Sequence, residues 1–296
     1  MKPNRLFTSM FLLVFVALGA CSPAASLPDT SGTSIPGKST QEVSSIPTVE
    51  IDALDFSYTA PETLNAGWVR VALINSGAED HLVQFLRLNE GVTMDQFLEA
   101  FQQGEGPALA LVNFEGGVGA LAPGGSGQVI INLPAGNYVI LCPIPSPDDQ
   151  IPHVAKGMIM PLTVQPASGP LASEPAADLT VTLRDFEIDM PETMPAGLVT
   201  IQVTNEGPEP HEFNILQLEE GKTIDDFQQF MNAPDGPPPF SSVGGMNGLA
   251  GGSTGYLEYD FQPGTYVAIC FIPSPNNEGS PHFTLGMIEQ FTVASP

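Results

Sequence analysis

From residue 48 onward, apolar and polar residues alternate along most of the chain, the period-two pattern of half-buried strands. Trp68-Val69-Arg70-Val71-Ala72-Leu73-Ile74 and Leu198-Val199-Thr200-Ile201-Gln202-Val203 place β-branched or aliphatic residues at every second position, as a pleated surface favours. Further strands are expected at residues 128–133 and 136–142, joined by a turn at Pro134-Ala135, and again at 256–261 and 265–270 around Pro263-Gly264. Apolar segments near 158–164 and 287–293 read as closing strands. The period changes at 93–103 and 223–232. There Phe97, Leu98 and Phe101 are spaced for one helical face, and Thr93 or Thr223 can cap the first turn.

These paired segments belong to an internal repeat. Asp55-Phe56 recurs as Asp185-Phe186, Pro61-Glu62-Thr63 as Pro191-Glu192-Thr193, and Asn75-x-Gly77 as Asn205-x-Gly207, all offset by 130. Gly116-Gly117 recurs as Gly244-Gly245 and Pro145-Ser146-Pro147 as Pro273-Ser274-Pro275, offset by 128. Small loop insertions account for the drift. The expected domains are 48–165 and 178–296, each a size that folds independently, with a Pro/Ala/Ser-rich linker at 166–177. A period this long means tandem domains rather than a solenoid. The Gly-rich stretches 116–127 and 244–255 lack the lysine and following helix of a phosphate loop and read as turns.

Composition agrees. Gly and Pro number 30 each and charged residues are 14%, which suits strands and turns. The net charge of −25 repels nucleic acid and anionic headgroups and would steer basic protein partners. At the N-terminus, Lys2 and Arg5 precede an apolar run, 6–17, too short to span a bilayer. It ends in Leu18-Gly19-Ala20-Cys21, which resembles the lipobox of bacterial lipoproteins. That resemblance implies removal of 1–20 as a signal peptide and acylation of Cys21. A flexible stalk would then run over 21–47, on a protein exported to the periplasm or exterior and touching the membrane through its lipid only.

The candidate chemistry sits on very few residues. The chain has 4 His and 3 Cys. Apart from Cys21 they divide equally: His81, Cys142 and His153 in one repeat, His211, Cys270 and His282 in the other. Each set is followed at the same spacing by a methionine, Met158 or Met287. Two imidazoles, a thiolate and a weak axial thioether form the donor set of blue-copper electron-transfer sites. The flanking segments resemble cupredoxins of the plastocyanin type: Asn75 to His81 and Asn205 to His211, Pro134-Ala135-Gly136-Asn137-Tyr138 and Pro263-Gly264-Thr265-Tyr266 ahead of the cysteines, and Pro152-His153 to Met158 and Pro281-His282 to Met287. The resemblance implies an all-β protein of two tandem Greek-key β-sandwich domains, each with one short inserted helix. It also implies one copper ion per domain, two in total, held by the eight named residues. Here 10 residues separate Cys142 from His153 and 11 separate Cys270 from His282, more than the few usual in the family. Leu82 or Glu212 follows the first histidine, where plastocyanins tend to have Asn.

Other readings are open to the same residues. Zinc takes His and Cys but not usually Met. A Cys142–Cys270 disulfide is compatible with export but needs the two sites to face each other. Met160 is a rival to Met158, yet its counterpart is Glu289. Multicopper oxidases and nitrite reductases also use cupredoxin repeats, but with extra histidines for further copper centres. Since two mononuclear sites consume all four, the expectation is an electron carrier and not an enzyme, exchanging electrons with basic redox proteins such as a cytochrome. A copper-handling or metal-free cupredoxin-fold binding module is the alternative.

Overall fold

The computed structural model describes residues 45–294; Cys21 and the expected signal peptide lie outside the described residues. The first repeat runs β1 (Thr48–Leu54), β2 (Ser57–Thr59), β3 (Thr63–Asn65), β4 (Gly67–Asn75), β5 (Gln84–Leu88), α1 (Met94–Gln103), α2 (Glu105–Leu109), β6 (Val112–Phe114), β7 (Ser126–Leu133), β8 (Gly136–Leu141) and β9 (Ile159–Gln165). The second runs β10 (Leu179–Arg184), β11 (Glu187–Asp189), β12 (Thr193–Met194), β13 (Gly197–Asn205), β14 (His211–Leu218), α3 (Ile224–Asn232), β15 (Phe240–Leu249), β16 (Thr254–Phe261), β17 (Gly264–Ile269) and β18 (Ile288–Val293).

The alternation translates directly into burial. In β4 Val69, Val71 and Leu73 are buried, and in β13 Val199, Ile201 and Val203. Both expected helices form where the period changes. Thr93 accepts the amide of Gln96 while its own amide donates to the Gln96 side chain; Thr223 and Asp226 repeat this capping box. Each box satisfies two amides the helix leaves unpaired, worth ~1 kcal/mol. The first repeat adds α2, which the sequence pattern does not announce.

Each repeat is a two-sheet sandwich. In the first, β2-β1-β4-β7 faces β3-β9-β8-β5-β6; in the second, β11-β10-β13-β16 faces β12-β18-β17-β14-β15. The two sandwiches are joined edge to edge. Strands β7 and β16 pair antiparallel, fusing two four-stranded sheets into one of eight strands. Pairing in this way covers two sheet edges that would otherwise be open to other chains. A single apolar cluster runs through both sandwiches and includes Val118, Val129, Met246 and Leu257.

The Gly-rich stretches do not make simple turns. Gly244 and Gly245 lie inside β15, and residues 114–122 run antiparallel to it. Gly119 N–H donates to Gly245 (2.9 Å), Gly244 N–H to Ala120 (2.7 Å) and Gly116 N–H to Gly248 (2.9 Å). Close approach is the reason for glycine here. A Cβ on Gly117 would collide with the Val83 carbonyl, and one on Gly245 with the Phe213 carbonyl. Both have positive φ, 146° and 125°. The central bridge joins Val118 to Met246, its counterpart 128 residues on, and Glu115↔Leu249 and Leu121↔Val243 flank it reciprocally. Equivalent surfaces therefore meet as in an isologous dimer, within one chain.

Candidate metal centres

The ends of the two sheets bring the predicted residues together. His81 follows β4 and is held by a two-way backbone bridge to Leu121 (3.1 and 2.9 Å). The Asn75-x-Gly77 motif builds its approach. Asn75 accepts the Gly77 amide and donates to the carbonyls of Glu79 (2.8 Å) and Leu121 (2.7 Å), an Asx turn. Asn205 does the same with Gly207, Glu209 and Leu249.

The long loop after each cysteine folds back on itself. Pro145 bridges Pro152, and Pro273 bridges Pro281. His153 N–H then donates to Ile144 (2.8 Å), Val154 N–H to Cys142 (2.8 Å), Met158 N–H to His153 (2.9 Å) and Cys142 N–H to Met158 (3.2 Å). The second repeat matches this, with Cys270 N–H donating to Met287 (3.2 Å) and Met287 N–H to His282 (3.0 Å). The extra residues form a closed excursion, and the backbones of Cys, His and Met are laced together regardless of loop length.

The donor atoms of His81, Cys142 and His153 all lie within 4.8 Å of one another, as do those of His211, Cys270 and His282. His81 Nδ1 is 3.1 Å from His153 Nδ1, and Cys142 Sγ is 3.5 Å from His153 Nδ1. The second cluster has 3.0 and 3.3 Å for the same pairs. All six side chains are buried, and so are Met158 and Met287; Met160 is half-buried on β9. Both cysteines are free thiols, so they form no disulfide.

Every Nε2 points the other way, onto a carboxylate. His81 meets Asp55 (2.7 Å), His153 meets Glu79 (2.8 Å), His211 meets Asp185 (2.6 Å) and His282 meets Glu209 (3.0 Å). Gly77 and Gly207 make room: a Cβ on either would run into both the Asp carboxylate and the His ring. Burial lowers the pKa of His153 and His211 despite the facing carboxylates, which keeps these rings neutral. Burial also pushes Asp55 upward, but the Ala78 amide, His81 and the Glu79 amide outweigh it and leave this carboxyl below its ordinary range. Glu209 is likewise held low by Asn276, Ser274 and His282 against burial.

A carboxylate only accepts, and a neutral imidazole carries one N–H. A ring whose proton sits on Nε2 turns its Nδ1 lone pair into the site. Such a lone pair is what a metal ion takes. Burial pushes the Cys142 thiol up to about 12, opposed by the Leu82 and Ile144 amides, and raises Cys270 well above the usual range against the Glu212 and Ile272 amides. A buried thiolate thus needs a metal partner, with two amides in place to hold the sulfur. The donor chemistry, two Nδ1 atoms, a sulfur and a buried methionine on the same loop, fits copper at both sites. The four carboxylates were not singled out from sequence. Their signal was present, since Asp55/Asp185 and Glu79/Glu209 recur at the offset of 130 that relates His81 to His211.

No family model matches the chain and no curated protein matches it. Solved structures similar to it include copper proteins. Reduced auracyanin from Roseiflexus castenholzii is 26% identical over 42% of this chain and 100% of that one, with a TM-score of 0.29. A multicopper oxidase is 18% identical over 83% of this chain and 88% of that one, TM-score 0.26. The copper nitrite reductase of Nitrosomonas europaea is 12% identical over 85% and 95%, TM-score 0.25. The two-sheet sandwiches, each with a buried His-Cys-His cluster, are cupredoxin-like. The expectation that the chain is not an enzyme is corrected: the similar structures include copper enzymes as well as blue copper proteins. A count of histidines in one chain does not exclude catalysis, because ligands to a further centre can come from a second copy.

Proposed function

We propose that the chain is an exported electron-transfer protein with one mononuclear copper site in each repeat. His81, Cys142, His153 and Met158 hold the first ion; His211, Cys270, His282 and Met287 hold the second. The observation that carries this reading is the pair of Nδ1 atoms brought within 3.1 and 3.0 Å of each other beside a buried thiol, found twice. A bound copper ion supplies a one-electron couple. The protein's own groups prepare for it. Asp55, Glu79, Asp185 and Glu209 fix the Nε2–H tautomer and the ring orientation, as carboxylates do behind histidine ligands. The Leu82 and Ile144 amides, and those of Glu212 and Ile272, donate to the sulfurs and favour the thiolate that metal binding requires. Complete burial of the ligands keeps water from them.

The same reading places the protein at the cell envelope through acylated Cys21, with domains 48–165 and 178–296 presented on the 21–47 stalk. Its net charge of −25 favours basic redox partners, such as a cytochrome, whose association weakens as salt rises. Copper analysis of the purified protein tests the site assignment: two ions per chain are expected, and one ion after Cys142→Ser or Cys270→Ser.

A further inference from the structure

The two centres match in their ligands and in the carboxylate behind each histidine, but not in what lies beside the sulfur. Leu82 follows the first histidine of one repeat and Glu212 that of the other; both are buried, each 5% exposed. Pro143 follows Cys142, whereas Phe271 follows Cys270. The two differences go together. Proline has no amide hydrogen, so the first repeat needs no acceptor at that point. Phe271 has one, and it donates to Glu212 Oε1 (2.5 Å). The backbone amide of Glu212 meanwhile donates to Cys270 Sγ (3.4 Å). Glu212 thus contacts both the sulfur and the peptide that follows it, and only the second repeat sets a buried carboxyl there.

This carboxyl has amide partners and no basic one. Its other donor is the Asn214 side chain, and among the described residues no lysine, arginine or histidine lines the cleft it faces between the repeats. The other differences at the two centres are partnered. The second repeat has Leu285 in place of Lys156, whose charge Asp149 answers in the first (3.0 Å). It has Pro210 in place of Asp80, whose carboxyl the Ser242 hydroxyl holds across the seam. Beyond burial, Glu212 raises the Cys270 thiol more than either amide lowers it, whereas Asp80 raises Cys142 less than either amide lowers it.

Cu(II) with one thiolate and two neutral imidazoles carries a net positive charge, and Cu(I) with the same ligands carries none. A carboxylate beside it favours the oxidised form, and more strongly where water is excluded. We infer that the two centres are inequivalent redox sites, with the Glu212–Phe271 pair holding the second at the lower potential, so that a single electron on the chain rests on the first ion. The electron lost by Cu(I) at the second site is the one gained by Cu(II) at the first. The inference rests on the copper assignment proposed above.

The test is a redox titration of the full-length chain in two single-site forms, at one pH above neutrality. Cys270→Ser leaves the first copper and Cys142→Ser the second. At a given applied potential the ratio of oxidised to reduced copper should be about tenfold higher at the second site, which is ~59 mV for one electron. Adding Glu212→Gln to the second-site form keeps an acceptor for the Phe271 amide, removes the charge and should close most of that gap. Glu212→Leu, which copies the first repeat, should close it as well. Equal midpoints in the two single-site forms overturn the inference and leave the copper assignment standing. A gap that survives both Glu212 substitutions with copper bound overturns it equally. A single-site form that takes up no copper overturns the assignment, and the inference with it.

Discussion

Asp55 holds the Nε2 of His81 at 2.7 Å, and Asp185 holds that of His211 at 2.6 Å, each reaching its ring past a glycine that has no room for a Cβ. The carboxylate fixes which nitrogen of the ring faces the site. Replacing Asp55 with Asn keeps the shape but weakens the orientation and removes the negative charge. Copper retention at the first site should fall by about 10–100-fold, and its midpoint potential should rise, because a nearby negative charge favours the more positive oxidation state. Competition titration against a copper chelator and a redox titration check this, with Asp185→Asn reporting on the second site. Unchanged affinity and potential would mean the carboxylates do no more than cap the rings.

Gly77→Ala tests the same contact from the other side. The added methyl must displace either the Asp55 carboxylate or the His81 ring. Copper should be lost from the first site while the second stays loaded. A visible spectrum of half the parent intensity is the expected readout.

The seam between the repeats should behave as part of one cooperative core. Gly245→Ala places a methyl against the Phe213 carbonyl at a φ of 125°, a combination of clash and strain expected to cost roughly 2–4 kcal/mol. Because an apolar cluster runs through both sandwiches, the whole protein should melt earlier in a single transition rather than losing one half first. Thermal unfolding followed by circular dichroism measures both. Two separate transitions in the parent would show that the halves fold independently.

Glu212 gives the metal-free protein a pH dependence. Burial raises its pKa from 4.5 to about 7, against the Phe271 amide and the Asn214 side chain, which lower it. A carboxyl whose folded pKa lies above its unfolded value stabilises the fold most when protonated. That stability is fully present below about 4.5 and is lost as pH rises through about 7, by ~3 kcal/mol at most. Glu212→Gln keeps an acceptor for the Phe271 amide and should remove this component of the slope. Urea unfolding of both proteins between pH 5 and 8, without metal, compares the slopes. Identical slopes would place the ionisation elsewhere.

Much of this was legible before any coordinates. Period-two strands such as β4 and β13, the Thr93 and Thr223 caps and the two donor triplets follow from local pattern, and duplication raised each signal above chance. The carboxylates behind the histidines were harder to read, because Asp55 and Glu79 are two of 33 acidic residues and nothing in their neighbourhood separates them from a solvated surface. The glycine stretches misled for a related reason. Gly is a turn residue by backbone freedom, but Gly117 and Gly245 are needed for close approach to the backbones of Val83 and Phe213, a non-local demand that no local window contains. The consequence of loop length was not legible either, since the Pro145–Pro152 bridge closes the excursion and returns His153 to Cys142 as a short loop would.

The central claim is two copper sites of one kind in one chain. Metal analysis of the oxidised full-length protein, together with its visible spectrum, tests it most directly. The account predicts two copper ions per chain and an intense visible band, reduced to one ion and about half the intensity by Cys142→Ser and likewise by Cys270→Ser. Copper that fails to bind while both thiols are reduced, or that stays at two ions per chain after either substitution, would contradict it.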